Sequence, residues 1–72
     1  MRVKIRLDTF TAVNEFVEIA SSIGENVYLE DNANHKVNGK SLLGCLYSLE
    51  FSELYCSCEK DISSKISKFL VD

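Results

Sequence analysis

The chain lacks an excess of basic residues. Its 72 residues include eight Lys and Arg against eleven Asp and Glu, which gives a net charge of −3. Nucleic-acid-binding domains usually present a basic face, so this balance argues against a nucleic-acid partner. No apolar run approaches the ~20 residues that a membrane-spanning helix needs, and the first residues do not resemble a signal peptide. We therefore expect a cytoplasmic protein without a membrane partner.

Cysteine is also scarce, and proline is absent. The three cysteines form an odd set without a secretory signal, which argues against a disulfide framework. Cys56 and Cys58 alternate along a predicted strand, and neither a histidine nor a second cysteine pair has a spacing typical of a metal site. We interpret them as small buried side chains, and we expect no metal and no cofactor. The absence of proline excludes no class of function.

The first half of the chain predicts a strand, a helix and a hairpin. Residues 2–7 alternate between basic and apolar side chains, as in a half-buried strand. Apolar residues then recur at helical spacing from Phe10 to Ile23, and Gly24 follows as the expected helix terminator. Two short alternating runs, 26–30 and 35–37, flank a turn-rich segment, which is typical of a β-hairpin. We expect His35, in this hairpin, to face solvent.

The second half predicts a helix, a strand and a final helix. The helix starts after Ser41, with Leu42, Cys45, Leu46 and Leu49 on its core stripe. Residues 53–58 form the fourth strand. Asp61 is placed to cap a last helix, in which Ile62, Ile66, Phe69 and Leu70 have helical spacing.

This order predicts one α+β domain over residues 1–72, with βαββαβα topology. Four amphipathic strands and three amphipathic helices imply an open-faced β-sandwich. Its four-stranded antiparallel sheet would be covered on one face by three helices.

Residues 37–46 stand out because a turn signal, a helix cap and a short apolar helix follow one another there. Asn38-Gly39 favours a turn, since both residues tolerate positive φ. The hydroxyl of Ser41 would lie at the positive end of the helix, next to Lys40 in sequence. Such a position suits an anion, including a phosphate added to the serine itself.

The same stretch resembles a known family. Residues 37–44, V-N-G-K-S-L-L-G, are similar to the V-N-G-K-S-I-M-G of HPr, the histidine-containing phosphocarrier of the bacterial phosphoenolpyruvate:sugar phosphotransferase system, and Ser48-Leu49 follows as in that family. A weaker match is F-V-E-I-A-S, residues 16–21, against F-V-Q-L-A-S. The resemblance covers nearly the whole chain and implies the open-faced β-sandwich already predicted from the pattern.

The family's phosphoryl chemistry does not carry over whole. Its active segment holds a histidine, which receives phosphate from enzyme I, and an arginine two residues later. Alignment through Phe16 places Thr9 at the histidine and Thr11 at the arginine. Threonine is a weak nucleophile without a base, and the neighbouring Asp8 disfavours a phosphate. We interpret Thr9 as a helix cap.

Two other sites follow from the resemblance. Ser41 corresponds to a serine that is phosphorylated for regulation in many Gram-positive members, although it can also be a plain helix cap. The family docks protein partners through the second helix and the outer face of the first. Too many apolar residues occupy the second helix for all of them to be buried, so we expect an exposed partner-binding patch there: Leu42, Leu43, Leu46 and Tyr47.

The sequence therefore predicts a non-enzymatic, HPr-like regulatory or protein-binding module with a degenerate active site. Expected partners are of the phosphotransferase-system, HPr-kinase or transcription-regulator type. The alternative is a residual phosphocarrier that uses an unconventional acceptor: Thr9, Thr11 or His35. The two differ in whether a base lies within ~3 Å of either threonine hydroxyl.

Overall fold

A computed structural model describes residues 1–71. It contains four strands and two helices in the order β1 (Arg2–Lys4), α1 (Phe10–Ser21), β2 (Val27–Glu30), β3 (Lys36–Asn38), α2 (Leu42–Tyr47) and β4 (Tyr55–Cys58). Two 3₁₀ turns, Ser48–Glu50 and Ser67–Phe69, follow α2 and β4 respectively. The predicted α+β class is confirmed.

The four strands form one antiparallel sheet in the order β1-β4-β2-β3. Its register places Cys56 opposite both Val3 and Leu29, and these residues face the core. Side chains one position along point to the opposite face, because successive residues of a strand alternate. That open face carries Tyr55 and Tyr28, with the Arg2 guanidinium 3.8 Å from the ring centre of Tyr55.

The core lies between the sheet and the two helices. The sheet supplies Val27, Leu29, Cys56 and Cys58, all buried. From α1 come Val13, Phe16 and Ala20, and from α2 comes Cys45. The helical spacing of the α1 residues and the alternation of the strand residues are the patterns seen in the sequence.

The prediction of a third helix is wrong, because no α-helix follows β4 within residues 1–71. In its place lie a turn after Asp61 and the short Ser67–Phe69 3₁₀ turn. The carboxylate of Asp61 accepts hydrogen bonds from both the backbone N–H and the hydroxyl of Ser63. Such local bonds compete with helix formation, and the serines that follow favour helices only weakly. The spacing still identified three buried residues, Ile62, Ile66 and Phe69, but Leu70 is 40% exposed.

Several predicted boundaries also differ from the structure: β2, β3 and β4 are observed at 27–30, 36–38 and 55–58 instead of 26–30, 35–37 and 53–58. Helix α1 ends at Ser21 instead of Ile23, because Ser22 caps it: the Ser22 hydroxyl donates to the carbonyl of Ile19 at 2.7 Å. Strand β1 ends at Lys4 instead of Leu7: the Ile5 N–H still donates to the Leu54 carbonyl at 3.0 Å, and Ile5 forms an isolated antiparallel bridge with Leu70 near the end of the chain. There Arg6 N–H donates to the Phe69 carbonyl at 2.8 Å.

Gly39 is required by close packing and not by an unusual backbone angle. The turn predicted at Asn38-Gly39 is present, since the Asn38 carbonyl accepts a hydrogen bond from the Ser41 N–H at 3.1 Å. No glycine of residues 1–71 has a positive φ, so this turn does not use the positive angle that glycine tolerates. The Gly39 N–H donates to the carbonyl of Val27 at 2.7 Å. A Cβ at position 39 would lie 3.0 Å from that oxygen and 3.0 Å from Cγ1 of Val27. This contact brings the start of α2 close to β2.

Candidate functional site

Ser41 is the N-cap of α2, as predicted. Its backbone is extended (φ −100°, ψ 119°), and its Oγ accepts a hydrogen bond from the Gly44 N–H at 3.1 Å. An oxygen at this position satisfies one of the amide groups that the first helical turn leaves without a partner. The residue is partly exposed.

Lys40 does not turn its ammonium group toward Ser41. Its Nζ donates to the carbonyl of Ile23, just beyond α1, at 2.5 Å. The Lys40 N–H is held by the side chain of Asn38 at 2.9 Å. A phosphate on Ser41 would gain this lysine only if the bond to Ile23 broke. The cation next to Ser41 in sequence therefore joins α2 to the end of α1.

The second helix presents an apolar surface to solvent. Leu43 is 79% exposed, Tyr47 is 55% exposed and Leu42 is 38% exposed, whereas Leu46 is only partly buried. These four residues are neighbours, since residues three and four apart on a helix lie side by side. We call Leu42, Leu43, Leu46 and Tyr47 the α2 patch. The structure thus brings the four predicted partner-binding residues together on one exposed surface.

Leu49 extends the apolar surface, contrary to its predicted place in the core stripe. It is 45% exposed because α2 ends at Tyr47 and continues as a 3₁₀ turn. The tighter winding changes which side chains face inward, and Ser48 is buried instead, with its hydroxyl donating to the Cys45 carbonyl at 2.6 Å. Phe51 then packs edge-to-face against Tyr47, with ring centres 5.8 Å apart.

Thr9 is the N-cap of α1, as interpreted from the sequence. Its Oγ1 accepts a hydrogen bond from the Ala12 N–H at 3.0 Å. Thr11 is exposed in the first turn. Within residues 1–71, no hydrogen bond joins either threonine hydroxyl to a side-chain base. The alternative of a threonine phosphoacceptor therefore lacks the base that its chemistry needs.

Charges of both signs surround the start of α1. Asp8 lies 3.9 Å from the Arg6 guanidinium, and both side chains are largely exposed. The Lys68 ammonium pairs with Glu15, one turn further along the helix. A groove of ≈ 380 Å³ runs from Asp8 past Leu49 and Phe51. Exposed ion pairs of this kind contribute little to stability.

Phe10 does not face the core, although its spacing places it among the apolar residues that recur along α1. It is the first residue of the helix, and its side chain is 59% exposed. The periodic pattern alone could not separate it from the buried Val13 and Phe16.

His35 is exposed, as predicted, with 55% of its side chain accessible to solvent, but it also makes specific contacts. Its Nδ1 lies 2.7 Å from a carboxylate oxygen of Asp31, and its ring stacks on Phe51 with centres 5.6 Å apart. Burial opposes the charge of Asp31, but hydrogen bonds from the N–H groups of His35 and Ala33 and from the imidazole lower its pKa. The His35–Asp31 pair joins the two ends of the hairpin loop. The sequence analysis missed the stacking of His35 on Phe51, because the two residues are distant in sequence and no local pattern indicates their contact.

All three cysteines are free and buried. Burial raises the pKa of the Cys45 thiol to about 11 and that of Cys56 to about 12, so both are neutral thiols near pH 7. Among residues 1–71, no group of three or more His, Cys, Asp and Glu side chains is arranged to hold a metal ion. Nor does this part of the chain contain a helix long and apolar enough to cross a membrane.

Comparison with known proteins gives one informative match. The structure is similar to the crystal structure of HPr-C-His from Thermoanaerobacter tengcongensis, with a TM-score of 0.65 and 28% sequence identity. The match covers 93% of this chain and 81% of that chain. No protein-family model matches, and no curated protein sequence matches significantly.

Proposed function

We propose that this chain, which has an HPr-like fold, is a cytoplasmic protein of bacterial type, related to the phosphotransferase system, that binds protein partners without carrying phosphohistidine. The solved structure of HPr-C-His supports the relationship, since it matches nearly the whole chain. The single observation that carries the binding role is the α2 patch, in which Leu43 is 79% exposed. Exposed apolar patches of this kind are typical of protein interaction sites.

The proposal excludes the phosphocarrier role because the start of α1 offers no suitable acceptor. The family histidine position is assigned to Thr9, whose hydroxyl is occupied as a helix cap. The imidazole of His35 is engaged by Asp31 and Phe51. The chain therefore acts by recognition, and we propose that it is not an enzyme.

A pull-down with wild-type protein and the variant Leu43→Glu tests the binding role. Leu43 contributes little to the core, so the variant should fold normally while a charge in the α2 patch abolishes capture of the partner. Ser64→Glu, an equal charge change at an exposed turn position, is the control and should retain the partner. Equal capture by wild type and Leu43→Glu would show that the α2 patch does not bind.

We also propose that phosphorylation of Ser41 regulates this surface. Ser41 directly precedes Leu42 in the α2 patch, and a phosphate on an N-cap residue interacts favourably with the helix dipole. Incubation with the bifunctional HPr kinase and ATP should add one phosphate to the wild type and none to Ser41→Ala. A failure to modify the wild type, or equal modification of Ser41→Ala, would contradict the regulatory role and leave partner binding in place.

A further inference from the structure

We infer that the partner bound by the α2 patch is cationic, and that it presents an apolar surface flanked by Lys or Arg. This inference rests on the proposed function and adds the chemistry of the partner. The supporting observation is the distribution of charged residues along the chain, because neither helix contains a Lys or an Arg.

No Lys or Arg occurs between Leu7 and His35, or between Ser41 and Glu59. Both helices and the 3₁₀ turn after α2 lie inside these two segments. Their charged side chains are all acidic: Glu15, Glu18 and Glu50. The basic residues lie instead in β1, between β1 and α1 (Arg6), in β3, in the turn before α2 and near the end of the chain.

Of the three acidic side chains, only Glu15 has a salt-bridge partner within the part of the chain that the structure describes, namely Lys68. Glu18 and Glu50 are exposed and form no ion pair there. Glu50 is adjacent to the α2 patch, because it follows Tyr47 by three residues in a continuous helical segment.

The ammonium of Lys40, the nearest cation before α2, is held by the Ile23 carbonyl. Lys4 and Arg6 line the groove beside Leu49, where Arg6 lies 3.9 Å from Asp8. Within residues 1–71 neither forms an ion pair with Glu50, so the α2 patch is an apolar surface with an unpaired acidic residue at its edge. Complementary charges at the rim of an interface favour the correct partner and disfavour one of like charge. An acidic partner would place its carboxylates against Glu50, whereas a basic one would neutralise it.

The inference is tested by NMR titration of the ¹⁵N-labelled protein with two synthetic peptides. Both form amphipathic helices with the same leucine face, but one has lysines and the other has glutamates beside it. The lysine peptide should shift the amide signals of residues 42–50 and bind at least about threefold more tightly than the glutamate peptide. Its affinity should fall as salt rises from low ionic strength to ~150 mM, where the Debye length is ~8 Å.

Two charge-reversal variants locate the effect. Glu50→Lys should weaken binding of the lysine peptide by about threefold. The control Glu59→Lys changes the net charge equally, but Glu59 lies beside Tyr28 and Ser57 of the open sheet face, so affinity should change by less than about twofold. Both positions are exposed, and the folded state of each variant is verified by its amide spectrum.

Several results would overturn the inference. These are equal affinity for the two peptides, shifts outside the α2 patch, no binding of either peptide, or equal weakening by the two variants. Equal binding of both peptides at the α2 patch would overturn only the cationic partner and would leave the proposed docking surface intact. The proposed docking surface itself fails if Leu43→Glu retains the natural partner.

Discussion

The hydroxyl oxygen of Thr9 accepts a hydrogen bond from the backbone N–H of Ala12 at 3.0 Å. This bond gives the side chain at the assigned histidine position a structural role, because it caps a helix whose inner face forms much of the core. An acceptor for phosphate at the same position would have to leave its hydroxyl or ring nitrogen free.

Thr9→Ala should lower the free energy of unfolding by about 1 kcal/mol, since the variant loses the cap and leaves an amide group unpaired. Thr9→Ser keeps an equivalent oxygen and should lie close to wild type. Urea denaturation measures the differences. Thr11→Ala serves as the control in the same helical turn and should change stability by less than ~0.5 kcal/mol; equal losses for Thr9→Ala and Thr11→Ala would refute the capping role.

Gly39→Ala should destabilise the fold by about 1–3 kcal/mol, because the new Cβ lies 3.0 Å from the Val27 carbonyl oxygen, which cannot move without disturbing β2. Gly24→Ala is the matched control: its Cβ meets no atom within 4 Å and its φ is not positive. That variant should be neutral or more stable by up to ~1 kcal/mol, because alanine restricts the unfolded chain. Equal changes in the free energy of unfolding for the two variants, measured by thermal unfolding, would show that close packing does not require glycine at position 39.

Acid should destabilise the protein partly through Asp31. Its pKa in the folded state is below the ordinary value of 3.8, so its contribution is complete above that value and is lost as pH falls through the folded-state pKa. In Asp31→Asn, stability should be lower at pH 7 and should decline less than in wild type on acidification below pH 4. Urea denaturation between pH 7 and pH 3 measures both slopes, and parallel curves would contradict the role of Asp31.

The thiols should be inert in the folded protein. Because burial raises the pKa of Cys45 to about 11 and of Cys56 to about 12, neither side chain forms an appreciable amount of thiolate at pH 8. An aromatic disulfide reagent should label them slowly in buffer and rapidly in urea. Rapid labelling of Cys45 or Cys56 in buffer would indicate that the core around α2 opens readily.

The sequence was most informative where the period of its apolar residues predicted which side chains are buried. Alternation predicted which residues of β1, β2 and β4 face the core, and helical spacing predicted Val13, Phe16 and Ala20, because burial follows directly from the period of each element. Side-chain oxygens at Thr9 and Ser41 predicted both caps, since few residue types can satisfy the first amide groups of a helix.

The failures have a common cause, which is local chemistry that competes with the apolar period. The last helix did not form because the Asp61 side chain bonds to Ser63. Leu49 turned outward because α2 tightens into a 3₁₀ turn. At the candidate site, the α2 patch could be predicted from an excess of apolar residues. The contacts of Lys40 with Ile23 and of His35 with Phe51 join distant segments, and no local pattern reports them.

The central claim, that an HPr-like chain has no phosphohistidine chemistry, is tested most directly by incubation with radiolabelled phosphoenolpyruvate and enzyme I. An active HPr serves as the positive control, and His35→Gln reports on the one imidazole of the chain. The account predicts that the active HPr becomes labelled and that wild type and His35→Gln stay unlabelled. Stable transfer of phosphate to the wild-type chain would contradict it.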